Sequence, residues 1–166
     1  SEAKTNPEQL TALEAWLKTQ KDEGGWNYEN GSEAGYPSMT EGGLGSAVIA
    51  LHYLDRDWRK DAQVAKAIAW MKRFDVKENK IPRHGGNAYH YYHLYALERA
   101  GMLAQQEQFG GRDWYDEGAE YLLNVQNADG RWQGSSFADN DVQDTCYAIL
   151  FLRRATQKLP PKVYTQ

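Results

Sequence analysis

A chain of 166 residues, with 41% hydrophobic and 25% charged residues, has the length and composition of one globular domain. Its formal net charge of −4, with no basic run, argues against a nucleic-acid partner, and no apolar stretch approaches the roughly 20 residues that a membrane helix needs. Its one cysteine excludes an internal disulfide.

The first predicted helix begins at Asn6 and runs through the segment TNPEQLTALEAWLKTQ. Asn6 is suited to cap the helix, Pro7 to occupy its first turn, and Gln9 to complete a capping box. Apolar residues follow at helical spacing: Leu10, Leu13, Trp16 and Leu17. Glycines at 24 and 25 then end the helix.

The same pattern of one helix, a loop and a second helix recurs along the chain. A second helix is predicted over 40–55, although glycines weaken its first turn. Further helices are predicted over 61–74 and 88–103, then one that ends at Gln126 and one that starts at Asp141. No strand-like alternation is evident. We therefore expect one all-α domain over 1–166, with helical hairpins at about 6–55, 59–101 and 112–156 and a tail at 157–166.

Each predicted hairpin has an apolar face that it cannot bury alone, so neighbouring hairpins are expected to stack into a curved α/α array. Three stacked hairpins would leave both ends of the array open. The chain is then a piece of a longer protein, an array with capped ends, or one of two copies that meet.

Two segments, WLKTQKDEGGW (16–26) and YLLNVQNADGRW (121–132), resemble the QW motif of the prenyltransferase and squalene-cyclase repeat. That motif has an aromatic and an aliphatic residue, then Gln-x-x-x-Gly-x-Trp. It is filled first by Gln20, Gly24 and Trp26, and again by Gln126, Gly130 and Trp132. The first copy is one residue short before its glutamine, and Phe74 replaces the glutamine in the middle hairpin.

This resemblance covers nearly the whole chain and is nearest to a branch of bacterial proteins whose reaction is uncharacterised. It implies an α/α toroid, of which three hairpins would form about half. The amide of each motif glutamine and the indole of each motif tryptophan are suited to join neighbouring repeats. We therefore expect the motif residues to be structural.

The segment DVQDTCYAILFL (141–152) also resembles the Asp-x-Asp-Asp run of class II terpene cyclases. The resemblance would make Asp141 and Asp144 weak candidates for catalytic carboxylates. However, Gln143 stands where the cyclases carry their proton-donating aspartate, and an amide has no proton to donate in the useful pH range.

Within the same segment, Asp144, Cys146 and Tyr147 resemble the Asp-x-Cys-Tyr run that binds zinc in protein prenyltransferase β-subunits. Asp144 and Cys146 are therefore weak metal candidates, because a catalytic zinc site needs three protein ligands. The simpler interpretation is that Asp141 or Asp144 caps a helix. Cys146 and the apolar residues Ile149, Leu150 and Leu152 would then be buried.

The segment AYHYYHLYALERAG (88–101) concentrates tyrosine and histidine on one predicted inner helix. Tyr91, Tyr92 and His93, together with Asp144, are predicted to line a concave surface for a sugar or a small hydrophobic ligand. His90 and His93 stand at i and i+3, which would also permit a shared metal face. Candidate binding groups in the predicted loops are Glu33, Glu41, Arg83 and His84.

The predicted function is a non-catalytic repeat module for binding or assembly, forming part of a larger bacterial protein. The alternative is an enzyme, either a terpenoid- or prenyl-handling catalyst or an α/α-toroid polysaccharide lyase. No cofactor, nucleic acid or membrane span is expected. The expected partners are other domains of a longer native chain or a second copy. The sequence leaves a cytoplasmic and an exported location equally open.

Overall fold

The computed structural model describes residues 6–29, 33–81, 87–134 and 140–164. This part of the chain is mostly helical, which confirms the all-α prediction. Its helices are α1 (Pro7–Leu17), α2 (Pro37–Tyr53), α3 (Ala62–Trp70), α4 (His90–Leu103), α5 (Trp114–Val125) and α6 (Asp141–Leu152). Short 3-10 turns at Trp58–Lys60 and Met71–Arg73 precede and follow α3.

One small sheet departs from the prediction that the chain has no strands. Strands β1 (Gln108–Phe109) and β2 (Arg112–Asp113) pair antiparallel. Gly110 and Gly111 between them both have positive φ, at 64° and 82°. Two such residues are what a tight two-residue hairpin turn requires, so this pair of glycines was an overlooked hairpin signal.

Polar side chains cap most of the helices, as local sequence predicts. Asn6 and Gln9 form the expected capping box on α1, and Asp61 and Asp113 cap α3 and α5. The prediction that Asp141 or Asp144 caps α6 was wrong, because the cap is Asn140, whose side chain accepts from the backbone N–H groups of the first turn.

Helix α2 begins at Pro37, before the predicted start at residue 40. Proline is pre-organised for the first turn of a helix. The segment that the sequence suggested as a loop therefore ends earlier than expected, and Thr40 and Glu41 lie within the helix.

The helices form a central row with a second set packed against it. Helix α4 packs between α2 and α6, while α1 and α3 lie against α2, and α5 lies against α4 and α6. Helices α2 and α4 are the most buried, and their apolar residues form the middle of the core. Helix α3 packs chiefly against α2, the helix before it in the chain.

Three glycines allow aromatic rings to pack directly on helix backbones. A Cβ atom at Gly43 would overlap the ring of Trp26, and one at Gly101 would overlap the ring of Trp114. Gly118 in α5 is covered in the same way by Phe151 of α6. These close approaches set the spacing between the central row and the segments packed on it.

The segment after α6 returns across the ends of the central helices. The buried Glu98 carboxylate of α4 accepts hydrogen bonds from the Thr156 backbone N–H (3.0 Å) and hydroxyl (2.6 Å). Further along, Lys162 donates to the His52 carbonyl of α2 (2.9 Å), and the Tyr164 hydroxyl lies 3.2 Å from the His52 ring. The tail thus connects all three central helices.

None of the helices in the described ranges combines the length and the apolar character needed to cross a membrane. This finding agrees with the prediction of no membrane span.

Candidate functional site

The turn after α1 is built around the predicted glutamine, glycine and tryptophan. The Gln20 amide donates to the Gly24 carbonyl (2.9 Å), and Gly24 has the positive φ, 99°, that this turn requires. The Trp26 backbone N–H then donates to the Thr40 hydroxyl in α2 (3.1 Å). The Gln20 amide also donates to the Gln63 carbonyl in α3 (2.8 Å).

The turn after α5 repeats this geometry. The Gln126 amide donates to the Gly130 carbonyl (2.9 Å), and Gly130 has a φ of 85°. The Trp132 backbone N–H donates to the Thr145 hydroxyl (3.1 Å), and its indole N–H donates to the Leu122 carbonyl (2.9 Å). These hydrogen bonds connect the turns to the adjoining helices.

A buried ion-pairing site joins α2 to α4. Nδ1 of His93 lies 2.8 Å from Oε2 of Glu41, and neither side chain is exposed. Nε2 of His93 lies 2.9 Å from the carbonyl oxygen of Asp75. Oε1 of Glu41 is buried without a hydrogen-bond partner among the described residues.

This geometry requires one proton between the two side chains. The Asp75 carbonyl can only accept, so Nε2 of His93 carries a hydrogen, and the contact between Nδ1 and the Glu41 carboxyl then needs one proton, carried by either group. Burial raises the pKa of Glu41, and the nearby Glu41 carboxylate raises the pKa of His93 despite the opposing effect of burial. Both shifts favour retention of that proton.

His90 does not share a metal face with His93. Its Nε2 donates to the Val76 carbonyl (2.8 Å), and its ring stacks on Tyr121 with a centroid separation of 5.1 Å. Within the ranges that the structure describes, no cluster of three histidine, cysteine or carboxylate residues has the geometry to hold a metal ion. The predicted Asp144 and Cys146 pair is not extended by a third ligand there.

The candidate carboxylates of α6 are bound within the fold. Asp144 is buried and accepts a hydrogen bond from the Gly134 backbone N–H (2.8 Å). Asp141 is half-exposed and lies 3.5 Å from the guanidinium of Arg131. Cys146 is exposed, which corrects the expectation that it is buried.

The burial of α6 also differs from the prediction. The apolar residues buried in α6 are Ala148 and Phe151, whereas Ile149 is exposed and Leu150 and Leu152 are half-buried. The sequence alone could not show this, because almost every position from 146 to 152 is apolar and the helical period then selects no face.

The side of α4 opposite α5 carries a stripe of half-buried residues: Tyr92, Tyr95, Arg99 and Met102, at i, i+3, i+7 and i+10. The ring of Tyr147 in α6 packs on this stripe, with centroid separations of 5.8 Å to Tyr92 and 5.2 Å to Tyr95. We call Tyr92, Tyr95 and Tyr147 the tyrosine face. Burial raises the pKa of Tyr92, with smaller contributions from Tyr147 and Glu41.

The structure places only one of the four predicted ligand residues on this face. Tyr92 is half-exposed, whereas Tyr91, His93 and Asp144 are buried between helices. Sequence reasoning missed Tyr95 and Tyr147 as members of the cluster. The helical spacing of Tyr92, Tyr95 and Arg99 was the available signal for the first of them.

Two open grooves of similar size lie away from the tyrosine face. One, of about 540 Å³, is at the end of α4 beside Gln105, Arg154 and Lys158. The other, of about 530 Å³, lies between Asp75 and Tyr121 and is lined by charged groups that include the paired Arg112 and Glu117.

The loop candidates divide into two groups. Glu41 proved to be a buried helical residue, and Glu33 lies half-buried in the segment before α2. Arg83 and His84 lie outside the described residues.

No protein-family model, curated protein or solved structure matches this chain.

Proposed function

We propose that this chain is a non-catalytic helical-repeat module of a larger bacterial protein, arranged as part of an α/α toroid, and that it binds a ligand on the tyrosine face. The observation that carries the proposal is the cluster of half-buried tyrosines at Tyr92, Tyr95 and Tyr147. Clustered aromatic rings with polar tips are typical of binding surfaces rather than of ordinary solvent-facing helices.

The chemistry of the face favours a sugar ligand. Its phenol rings offer apolar area, its hydroxyl groups can donate and accept hydrogen bonds, and the Arg99 guanidinium donates to the Tyr95 hydroxyl at 3.4 Å. An oligosaccharide presents the complementary combination, with apolar C–H faces bordered by hydroxyl groups.

The enzyme alternatives need an acid or base that can reach a substrate. His93 and Asp144 are buried and hydrogen-bonded within the fold. Because burial raises the pKa of Tyr92 from an already high value, its phenol stays protonated at neutral pH and can donate a hydrogen bond to a bound ligand. These contacts favour binding without turnover.

The test is a glycan-array screen with the full chain, followed by titration calorimetry with the best oligosaccharide. We expect Tyr92→Ala and Tyr147→Ala each to weaken binding about tenfold or more, as for central aromatic contacts in other interfaces. Tyr53→Ala is the matched control, because Tyr53 is exposed at the far end of α2.

Three outcomes would count against the proposal. Equal affinity of the wild type, Tyr92→Ala and Tyr147→Ala would show that the ligand does not bind at the tyrosine face. Failure to bind any glycan, with saturable binding of a long-chain prenol instead, would favour the hydrophobic alternative. Release of a new product from the bound oligosaccharide would replace the binding module with a lyase.

A further inference from the structure

We call α1 and α2 the first helix pair, α3 and α4 the second, and α5 and α6 the third. The two matching turns show which residues of the first and third pairs are equivalent. Gln20, Gly24 and Trp26 correspond to Gln126, Gly130 and Trp132, and because the first copy is one residue short before its glutamine, Leu17 corresponds to Leu122, which is also buried. Since the hydroxyls of Thr40 and Thr145 accept from equivalent tryptophan N–H groups, Pro37 corresponds to Val142 and Leu44 to Ile149. Equivalent positions can therefore be compared directly.

In the first pair, these positions face the second pair and are buried. Leu17, Pro37 and Leu44 are all buried. The Gln63 side chain of α3 donates to the Leu17 carbonyl (2.6 Å), while the Gln63 carbonyl accepts from Gln20. Glu41 on the same side of α2 pairs with His93 of α4.

In the third pair, the positions on α6 that correspond to Pro37 and Leu44 are exposed. The exposed fractions are 72% for Val142 and 45% for Ile149, and Leu123, the residue after Leu122 in α5, is 65% exposed. We call these three residues the end face. The Gln126 amide keeps the bond within its turn, to Gly130, but the part of the chain that the structure describes has no further pair to offer an equivalent of the Gln63 carbonyl.

The opposite end of the molecule carries a helix suited to that position. When Trp16 of α1 is matched to Trp70 of α3, Leu10 corresponds to Val64 and Leu13 to Ala67. Val64 and Ala67 are buried in α3, which packs on α2, whereas Leu10 and Leu13 are only half-buried. Helix α1 thus carries an apolar stripe equivalent to the one through which α3 packs on α2.

We propose that the end face binds the α1–α2 end of a second copy of this chain, head to tail. The first pair of one copy then lies on the third pair of its neighbour, as the second pair lies on the first within the chain. Because the two contacting surfaces differ, the interface is heterologous, and two copies that satisfy both ends close into a ring.

Sedimentation equilibrium of the full chain, from micromolar to millimolar concentration, tests the association. The expected mass rises from 18.9 kDa to at least twice that value. Ile149→Glu on the end face and Leu13→Lys on α1 should each reduce self-association at least tenfold. Val163→Glu is the control, because Val163 is almost fully exposed on the tail and its substitution should leave the mass unchanged.

Mixing the two variants tests the head-to-tail arrangement. Each variant keeps one intact surface, so the mixture should form a 1:1 complex that neither forms alone. A monomeric wild type at millimolar concentration, or a mixture that stays monomeric, would overturn the proposal. Circular dichroism confirms that both variants fold, and Leu10→Lys replaces Leu13→Lys if the latter does not.

Discussion

At the scale of single residues, the Glu41–His93 pair has the largest electrostatic consequence. Both side chains are fully buried with Nδ1 of His93 2.8 Å from Oε2 of Glu41, and we infer that they share one proton. In the unfolded chain the histidine loses its proton at the ordinary pKa of 6.5, whereas the folded pair retains it to higher pH. Folding is therefore coupled to proton retention above that pH.

The free energy of unfolding should consequently fall as the pH rises above 6.5, by about 1.4 kcal/mol per pH unit until the raised pKa of His93 is passed. Urea unfolding between pH 6 and pH 9 measures this slope. Glu41→Gln is the matched control, since its amide can donate to Nδ1 of His93 without ionising. Equal slopes in the two proteins would contradict the shared proton.

His93→Ala should be much more damaging than Glu41→Gln. This substitution removes the hydrogen-bond partner of the buried Glu41 carboxyl. Breaking a buried pair in this way costs about 3–5 kcal/mol. The same unfolding experiment at pH 6 compares the two variants. A loss for His93→Ala no greater than that for Glu41→Gln would show that the carboxyl finds another partner.

Sequence could predict the residue-level features that are local and could not predict those that are distant. The capping box of Asn6 and the turn from Gln20 to Gly24 depend on residues within one turn of each other, and they were predicted. Glu41 and His93 lie 52 positions apart. Their pairing depends on how α2 and α4 pack, which no local pattern specifies.

At the scale of secondary-structure elements, the glycines of α2 have a packing role. From sequence, they weaken the first turn of a helix. In the structure, Gly43 lies under the Trp26 ring, while an added Cβ at Gly42 would approach nothing closer than the Tyr92 hydroxyl at 3.8 Å. Adjacent glycines thus serve different purposes, and composition alone cannot distinguish them.

Gly43→Ala should lower the free energy of unfolding by about 1–3 kcal/mol, because the methyl group forces the Trp26 ring out of place. Gly42→Ala should be neutral or stabilising by up to about 1 kcal/mol, since alanine favours the helix. Thermal and urea unfolding of both variants provide the comparison. A neutral Gly43→Ala would show that the tryptophan can shift without cost.

At the scale of the whole molecule, the turns after α1 and α5 differ in which parts of the chain their glutamines bond to. Gln20 bonds within its own turn and across to α3, whereas Gln126 bonds to Gly130 in its own turn. The helix order and the alternation of pairs were predictable from repeated apolar spacing. The packing of α3 on α2 was not, because a flanking helix can contact either neighbour with the same stripe.

Gln20→Ala should therefore destabilise the chain by about 1–3 kcal/mol, and Gln126→Ala by about 1 kcal/mol or less. Urea unfolding at low micromolar concentration, where association between copies is weakest, makes the comparison. The local turn is the same in both, so the difference isolates the bond between Gln20 and the Gln63 carbonyl. Equal losses would mean that this bond contributes nothing.

The returning tail has a consequence for the order in which the chain acquires its structure. Tyr164 meets His52 across 112 positions, and Thr156 meets Glu98 across 58. During synthesis, α2 and α4 are completed long before these partners emerge from the ribosome. The Glu98 carboxylate and the end of α2 must therefore stay in contact with water until the later tail residues are made and cover them.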